Sequence, residues 1–266
     1  MASEHDETVR RSFERQTRLF TGEDSVFASR SPATPSAPEA PEAPEWVAPL
    51  DPDSIVLDVA CGAGHVAEEI APCVRQVVGV DMTPALLRIG AQRLDGAGVT
   101  NVLLQEGDGA ALPFVDGSFD VVVCRSALHH FADPALQLGE MARVCRPGGR
   151  VAISDLVAPG PDVRASYDEL HRRIDPSHVH CLLDDELASL VERTVGPVTR
   201  SSARGSISLP IERVLTDVAD RPTVFATLRA ELDGGPATGF EPAAGPDGEL
   251  CVTFSSVSVQ AVRRPV

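Results

Sequence analysis

A glycine-rich turn follows the first long apolar run of this 266-residue sequence. The run Ile55–Val59 predicts a buried strand, and Ala60, Cys61, Gly62 and Gly64 come directly after it. Glycines at the end of a buried strand let a ligand approach the backbone closely. The spacing Gly62-x-Gly64 also matches the start of the dinucleotide fingerprint, so the turn alone leaves the choice of ligand open.

Carboxylates stand at the predicted ends of three successive strands. Asp58 lies at the mouth of the glycine turn, Asp81 ends the second strand, and Asp108 follows the third. In open α/β sheets ligands bind outside the carboxyl ends of the strands, which places the three acids around one site. Any one of them alone is as easily explained as a helix cap or turn residue, but three in succession favour a bound ligand.

The charge of these acids favours a cationic cofactor over a diphosphate. A pyrophosphate beside Asp58 would face a negative charge, whereas a carboxylate attracts the ammonium and sulfonium groups of S-adenosylmethionine. Asp81 can accept hydrogen bonds from both ribose hydroxyls, and Asp108 can accept one from the adenine amino group. The residues therefore predict an S-adenosylmethionine site.

Strand and helix patterns alternate around these residues. Apolar runs predict the strands, and capped periodic segments predict the helices between them. Such alternation implies a doubly wound α/β fold with a mostly parallel sheet and helices on both faces. The predicted strands cover residues 55–59, 76–80, 99–105, 119–124 and 150–156, and the predicted helices cover 66–71, 83–94 and 133–145.

The N-terminal region has a different character. Residues 3–20 predict an amphipathic helix that either packs on the core or closes over a ligand. Residues 31–52 hold seven prolines and predict an extended, solvated spacer. The predicted organisation is a helical arm over residues 1–30, a proline-rich linker over 31–53, and a core over 54–266 with a substrate-covering insertion at about 159–192.

The C-terminal part predicts a helical insertion followed by further strands. Tyr167 shares a helical face with Val163, Leu170 and Ile174, which predicts a packed side chain with its hydroxyl at the rim. Further elements are predicted as helices over 184–193 and over 211–232, the latter interrupted near Pro222, and as strands over 198–209 and 251–262.

Four motifs in the central part of the chain resemble those of class I S-adenosylmethionine-dependent methyltransferases. They cover residues 56–64, 107–120, 124–131 and 143–150, and the matching stretch runs from Ser54 to about Asp155. The set is similar to the branch that includes ubiquinone and menaquinone C-methyltransferases and many natural-product enzymes. This resemblance implies a Rossmann-like, seven-stranded sheet of order 3-2-1-4-5-7-6 with strand seven antiparallel. In that branch the region of the proline-rich spacer is usually helical.

The resemblance also implies which residues contact the cofactor. The turn after the first strand meets the methionine part, the acids of the second and third strands flank the ribose and adenine, and an aromatic side chain near the end of the N-terminal helix covers the cofactor. The residues at the matching positions are Asp58, Ala60, Cys61, Gly62, Gly64, Asp81, Met82, Asp108, Gly109, Arg125 and Phe20.

Histidines near the predicted acceptor position are candidate general bases. Methyl transfer is an in-line displacement that requires positioning, and a base contributes when the acceptor must lose a proton. His129 and His130 follow the fourth strand, and His178 lies in the insertion. The alternative is that these side chains shape their loops. His178 and His180 lack an evident third ligand, so the sequence predicts no metal site.

The net charge and the cysteine content of the chain restrict the kinds of molecule it is expected to bind. A net charge of −16 opposes binding to nucleic acid or to an anionic membrane surface, and the chain contains no lysine. Six cysteines without paired spacing predict reduced thiols in the cytoplasm. We therefore expect a small-molecule methyl acceptor, natural-product-like or quinone-like, and a monomer or homodimer.

Two other functions are compatible with the sequence. The fingerprint at the glycine turn also suits an NAD-dependent oxidoreductase, although Asp58 argues against it. Because a fold does not guarantee a reaction, an S-adenosylmethionine-binding protein with a non-methylating role, as a cyclase or a regulator, is the second alternative.

Overall fold

A mostly parallel sheet with helices on both faces makes up the computed structural model, which describes residues 4–15 and 42–265. Phe20 lies outside the described residues. The strands are β1 (Ile55–Val59), β2 (Gln76–Asp81), β3 (Val102–Glu106), β4 (Phe119–Arg125), β5 (Cys145–Val157), β6 (Val198–Ser201), β7 (Gly205–Pro210), β8 (Ala243–Ala244) and β9 (Leu250–Val262). The helices are α1 (Glu4–Arg15), α2 (His65–Ile70), α3 (Pro84–Gly96), α4 (Pro134–Val144), α5 (Arg164–Ile174), α6 (Asp184–Thr194) and α7 (Arg221–Leu232).

The strand order confirms the expected topology. The sheet runs β3-β2-β1-β4-β5-β9-β6, with β1 to β5 parallel to their neighbours. Strand β9, the predicted seventh strand, is antiparallel to β5 and places Arg150 opposite Val262. The carboxyl ends of β1, β2 and β4 therefore meet at one edge, as the positions of the acids require.

The predicted sixth strand is divided into β6 and β7, both antiparallel to β9. The break falls at residues 202–204, where Arg204 leaves the ladder and its Nη2 lies 2.6 Å from Asp184 Oδ1. Strand β9 spans thirteen residues, so it continues past the break and pairs with β7 along its first half. A local apolar pattern does not reveal this break, because the pairing with β9 and the contact of Arg204 with Asp184 both involve residues elsewhere in the chain.

Helices cover both faces of the central strands. The neighbours Val56 and Leu57 belong to different apolar clusters, one containing Ile70 of α2 and the other containing Leu138 of α4. Alternate side chains of a strand point to opposite faces, so β1 is buried on both sides, as expected in a parallel sheet. Within residues 4–15 and 42–265, no helix has the combined length and apolar character needed to cross a bilayer.

A third apolar cluster lies under the helical insertion. Tyr167 of α5 is fully buried, and its ring stacks on Phe240 with centroids 4.4 Å apart. The prediction that its hydroxyl lies at the rim is therefore wrong, because the loop that carries Phe240 closes over α5 from outside the insertion. The second helical pattern also differs: Pro222 stands in the first turn of α7, where its fixed φ is favourable, and does not interrupt a longer helix.

The described part of the proline-rich stretch packs against the core. Val47 is fully buried, and Gln260 Nε2 donates hydrogen bonds to the carbonyl oxygens of Trp46 and Ala48 at 2.9 and 3.1 Å. The solvated spacer expected from the prolines is thus not found over residues 42–50. Burying Trp46 and Val47 removes a large apolar area from water, and this gain outweighs the preference of the neighbouring prolines for an extended, solvated chain.

Two glycines of α3 provide a test of how closely this helix packs on the glycine turn. A Cβ at Gly90 would lie 2.8 Å from Leu104 Cδ1 and 3.0 Å from the Ala63 carbonyl oxygen, whereas a Cβ at Gly96 would meet nothing within 4 Å. Gly90→Ala is expected to lower the free energy of unfolding by about 1–3 kcal/mol. Gly96→Ala is expected to raise it by up to about 1 kcal/mol, since alanine favours helix. Thermal unfolding measures both, and melting temperatures that move together would contradict the close approach.

Candidate active site

A cavity of about 700 Å³ opens at the carboxyl ends of β1, β2 and β4, beneath α1 and beside β7. Its volume falls within the range of about 300–1,000 Å³ typical of small-molecule sites. The predicted site residues that line it are Asp58, Ala60, Cys61, Gly62, Asp81, Met82, Asp108, Gly109, Arg125, His129 and His130. Gly64 and His178 are not part of the lining.

The glycine turn is held open by left-handed backbone. Ala60, Gly62 and Gly64 have φ of 56°, 55° and 72°, a region that glycine adopts without cost and alanine does not. Asp81 fixes the turn from the neighbouring strand, since its Oδ2 accepts from the Gly62 N–H at 2.8 Å and its Oδ1 accepts from the Thr83 N–H at 2.8 Å. Gly64 begins α2 and shapes the turn from behind the lining.

Asp58 is a buried carboxylate with an unsatisfied oxygen. Only 1% of the residue is exposed, and its Oδ2 has no hydrogen-bond partner among the described residues. Burial raises its pKa to about 7, with Asp81 adding to the rise and Arg125 opposing it. A cation in the cavity would supply the missing partner, so this end of the cavity suits a positively charged ligand.

Asp81 and Asp108 lie at different depths. Asp81 is 8% exposed, and burial raises its pKa against the opposing hydrogen bonds of Thr83 and Gly62. Asp108 is exposed, and its Oδ1 accepts from the Ala110 N–H at 2.8 Å. Asp81 can therefore contact a buried part of a ligand, and Asp108 can contact a part near the surface.

His129 lines the same cavity and forms a buried pair with Asp155. His129 Nδ1 lies 2.6 Å from Asp155 Oδ1, while Asp155 Oδ2 accepts from the N–H groups of Ala127 and Leu128, each at 2.7 Å. Burial opposes ionisation of Asp155, but the charge and hydrogen bond of His129 and the two backbone bonds hold its pKa below the usual value. A proton held at Nδ1 leaves Nε2 of His129 as the acceptor.

His130 is held by the insertion and by α1. Its Nδ1 lies 3.1 Å from the Ser177 carbonyl oxygen, its own carbonyl oxygen lies 2.9 Å from His5 Nε2, and its ring meets Phe13 edge-on at 5.0 Å. Burial, followed by the charge of His129, lowers the pKa of His130 to about 4. So low a pKa makes His130 a weak base, and its contacts indicate a role in shaping the cavity.

His178 lies behind the cavity wall. Its Nε2 is 2.8 Å from Asp168 Oδ1, and burial lowers its pKa far below the usual value. His171 of α5 stands in front of it and lines the cavity, with the two ring centroids 4.0 Å apart.

Two candidate site residues, Asp155 and His171, were not predicted from the sequence. Asp155 lies two residues before the carboxyl end of β5, so the rule that selected the acids of the first three strands also applies to it. His171 follows Tyr167 by one helical turn, on the face predicted to be buried.

Comparisons with known proteins agree with this geometry. Residues 57–153 match the family described as Methyltransferase domain. The uncharacterized methyltransferase YcgJ of Bacillus subtilis strain 168 is 41% identical over 125 residues, which are 47% of this chain and 49% of that protein. A demethylmenaquinone methyltransferase of Clavibacter sepedonicus is 37% identical over 134 residues, 50% of this chain and 54% of that protein. The chain thus spans about half the length of the curated relatives it matches.

Solved structures share the fold over a longer stretch. The crystal structure of YcgJ from Bacillus subtilis has a TM-score of 0.72 and 28% identity, covering 82% of this chain and 94% of that one. The cyclase SpnF has a TM-score of 0.55 and 18% identity over 82% of this chain and 77% of its own, a likeness of fold alone.

The strand order, the glycine turn with its acids, and the match over residues 57–153 identify this part of the chain as a methyltransferase domain of the class I, S-adenosylmethionine-dependent type. Its cofactor is accordingly S-adenosylmethionine, as the charge of Asp58 and Asp81 predicts. The alternative of an NAD-dependent oxidoreductase is set aside.

Proposed function

We propose that this protein transfers the methyl group of S-adenosylmethionine to a small, uncharged organic acceptor, with His129 as the general base. The observation that carries the proposal is one continuous cavity. Its lining includes Asp58 and Asp81, here called the cofactor end, and His129, here called the acceptor end, which pairs with Asp155 behind the lining. Cofactor and acceptor can therefore lie end to end within it.

The cofactor end is matched to a cation. Bound S-adenosylmethionine supplies a methyl group already activated by its positive sulfonium. Asp58, with its unsatisfied Oδ2, pairs with the positive methionine part, and Asp81 accepts from the ribose hydroxyls. The turn around the methionine part is shaped by Ala60, Cys61, Gly62 and Gly64, and Arg125 lies near it. The adenosine is bordered by Met82, Asp108 and Gly109.

The acceptor end is apolar and offers little to an anion. Its lining includes Leu156, Leu209, Val214 and Phe254. Among the described residues that line the cavity the only arginine is Arg125, whose Nη1 lies 3.4 Å from Glu69 Oε2. Burying an acceptor phosphate there would leave it without a matching positive charge.

Names of similar proteins are consistent with such an acceptor. The demethylmenaquinone methyltransferases are named for an apolar quinone, which suits this lining. Fold neighbours named for geranyl diphosphate and phosphoethanolamine share only 16% identity, and both names describe phosphate-bearing molecules. We therefore favour a quinone-like or natural-product-like acceptor without phosphate.

The chain's own groups supply deprotonation and cover part of the cavity. Nε2 of His129 takes a proton from an acceptor hydroxyl or acidic carbon, and Asp155 stabilises the imidazolium that forms. A bound methyl donor would then pass its methyl group to the electron pair that deprotonation leaves on the acceptor, and its sulfur would leave as S-adenosylhomocysteine. His5 and Phe13 of α1 hold the helix over His130, so α1 covers this part of the cavity.

The proposed setting follows from charge and cysteine chemistry. A net charge of −16 disfavours nucleic acid as a substrate, and none of the six cysteines is paired, which supports a reducing cytoplasmic location. We propose a monomer or a homodimer.

Methyl transfer to a defined acceptor is the direct test. The purified chain is incubated with methyl-labelled S-adenosylmethionine and a panel of reduced naphthoquinones, neutral phenols, amines and diphosphates. The expected result is labelled product with a stoichiometric release of S-adenosylhomocysteine for a neutral hydroxyl or carbon acceptor. Turnover confined to the diphosphates would contradict the proposed acceptor class. Tight cofactor binding together with consumption of a panel compound and no methyl transfer would favour the non-methylating alternative.

Cofactor affinity is expected to fall in acid through Asp58. Its raised pKa of about 7 means that below this pH the carboxyl group is protonated in the free protein. Because the cationic cofactor pairs with the ionised form, a proton must leave on binding, and affinity should fall by up to about tenfold per pH unit below about pH 7. Above that pH affinity should level off.

Calorimetry across about pH 5.5–8.5 measures this linkage. Asp58→Asn is the matched control, because it retains the shape of the side chain and cannot ionise. It should bind S-adenosylmethionine more weakly and lose the wild-type slope. A variant that keeps the same slope would assign the titration to another group.

A further inference from the structure

Three metal-ligating side chains meet inside the helical insertion, outside the groups used for methyl transfer. They are His171 on α5 and His178 and Cys181 in the segment after it. One ligand atom from each lies within 4.8 Å of the others. The three residues are 5%, 3% and 0% exposed, so water does not compete freely for these atoms.

Two nitrogens of this cluster have no hydrogen-bond partner. Among the described residues nothing bonds to Nδ1 of His171 or to Nδ1 of His178. Leaving a buried polar nitrogen unpaired costs about 1–3 kcal/mol, so two such atoms side by side call for a partner. The neighbouring Phe240 and Phe254 rings offer none.

Asp168 orients the cluster from behind. Its Oδ1 lies 2.8 Å from His178 Nε2 and accepts from the Cys181 N–H at 2.9 Å. A carboxylate on one ring nitrogen of a histidine is the usual arrangement that directs the other nitrogen to a metal.

We propose that His171, His178 and Cys181 form a binding site for Zn²⁺. Two imidazole nitrogens and one thiolate match the ligand preference of zinc, whereas Mg²⁺ and Ca²⁺ prefer oxygen. The imidazole rings are stacked at 4.0 Å with planes 16° apart, so one ring turns on binding until both in-plane lone pairs face the ion.

The position of this site gives the ion a structural effect. It ties α5 to the segment that carries Ser177, whose carbonyl oxygen holds His130 at 3.1 Å. His171 also lines the cavity, so the ion borders the acceptor end. The sequence predicts no such site, because only His180 stands near His178 in a ligand-like spacing and no third ligand is evident. In the structure His180 is not a member of the cluster. The proposal stands independently of the methyl-transfer reaction.

Metal titration of the full chain tests the site, with Zn²⁺ for affinity and Co²⁺ for its spectrum. The expected result is one Zn²⁺ per chain, a rise in melting temperature, and a thiolate-to-cobalt charge-transfer band with Co²⁺. Cys181→Ser should lose this band and weaken Zn²⁺ binding by at least about 100-fold, and Asp168→Asn should weaken it by about 10- to 100-fold. Cys73→Ser, which alters a cysteine of a different apolar cluster, should behave as wild type.

Two results would overturn the proposed zinc site. A wild-type chain that binds no Zn²⁺, or a Cys181→Ser variant with wild-type Zn²⁺ affinity, would overturn the site. If Cys181→Ser does not fold, His178→Gln decides on the same readouts, and the cobalt band and zinc-dependent melting shift of the wild type remain decisive. S-adenosylmethionine affinity is measured in parallel and should survive in Cys181→Ser, so failure of the zinc site and failure of the proposed reaction are distinguishable.

Discussion

His129→Gln is expected to lower the rate of methyl transfer by about 10²- to 10⁴-fold while leaving the affinity for S-adenosylmethionine unchanged. Glutamine retains a polar side chain of similar reach, but it cannot accept a proton at the position of Nε2. The cofactor end, formed around Asp58 and Asp81, is untouched. Single-turnover rates with the acceptor found in the panel, together with calorimetry of the cofactor, separate the two effects.

The partner of His129 gives a second measurement of the same role. Asp155→Asn places an amide N–H against Nδ1, so the imidazole proton moves to Nε2 and the base is in the wrong tautomer. The rate should fall almost as far as in His129→Gln, without further loss in the double variant, because the pair acts as one unit. His180→Gln, a histidine outside the cavity lining, is the matched control. A normal rate in His129→Gln would assign this residue to shaping the loop.

Asp81→Ala is expected to weaken S-adenosylmethionine binding by about 10²- to 10⁴-fold. Charge-assisted hydrogen bonds contribute about 1.5–3 kcal/mol each, and the variant loses two with the ribose hydroxyls. It also releases the N–H groups of Gly62 and Thr83, which the carboxylate holds at 2.8 Å. Calorimetric titration with the cofactor and with S-adenosylhomocysteine measures the loss for both.

Two further variants show whether charge or shape is responsible. Asp81→Asn keeps one oxygen for the glycine turn and removes the charge, so its affinity should fall between those of wild type and Asp81→Ala. Asp95→Ala removes an exposed acid on α3 away from the cavity and should change nothing. Unaltered affinity in Asp81→Ala would remove this residue from the site.

The raised pKa of Asp58 has a consequence for the empty protein. Near neutral pH the buried carboxylate is only partly ionised, and its ionisation opposes folding because no positive group satisfies Oδ2. In the proposed complex the cofactor would relieve this cost by supplying the positive charge. The buried Asp58 carboxylate thus favours binding of a cationic ligand but lowers the folding stability of the ligand-free protein. Such a loss of stability is common at functional sites.

The cofactor end was predictable because its signals are local. Apolar runs locate β1, β2 and β4 to within a residue, and an acid at the end of a parallel strand faces the ligand edge whatever the rest of the chain does. The order of the strands came from the resemblance to a known family, since periodicity carries no information about which strands are neighbours. The division of the sixth strand lay beyond both, because Arg204 and its partner Asp184 are twenty residues apart.

The sequence by itself determined the class of protein and its cofactor and predicted the acids that would receive it, since each depends on residues adjacent along the chain. Only the tertiary structure decided the acceptor end. It placed His178 behind the wall, brought His129 to Asp155 across 26 residues and His130 to Ser177 across 47, and set His171 beside Cys181. The physical reason is that burial and long-range hydrogen bonds set the protonation and direction of a histidine, and neither is encoded in its neighbours along the chain.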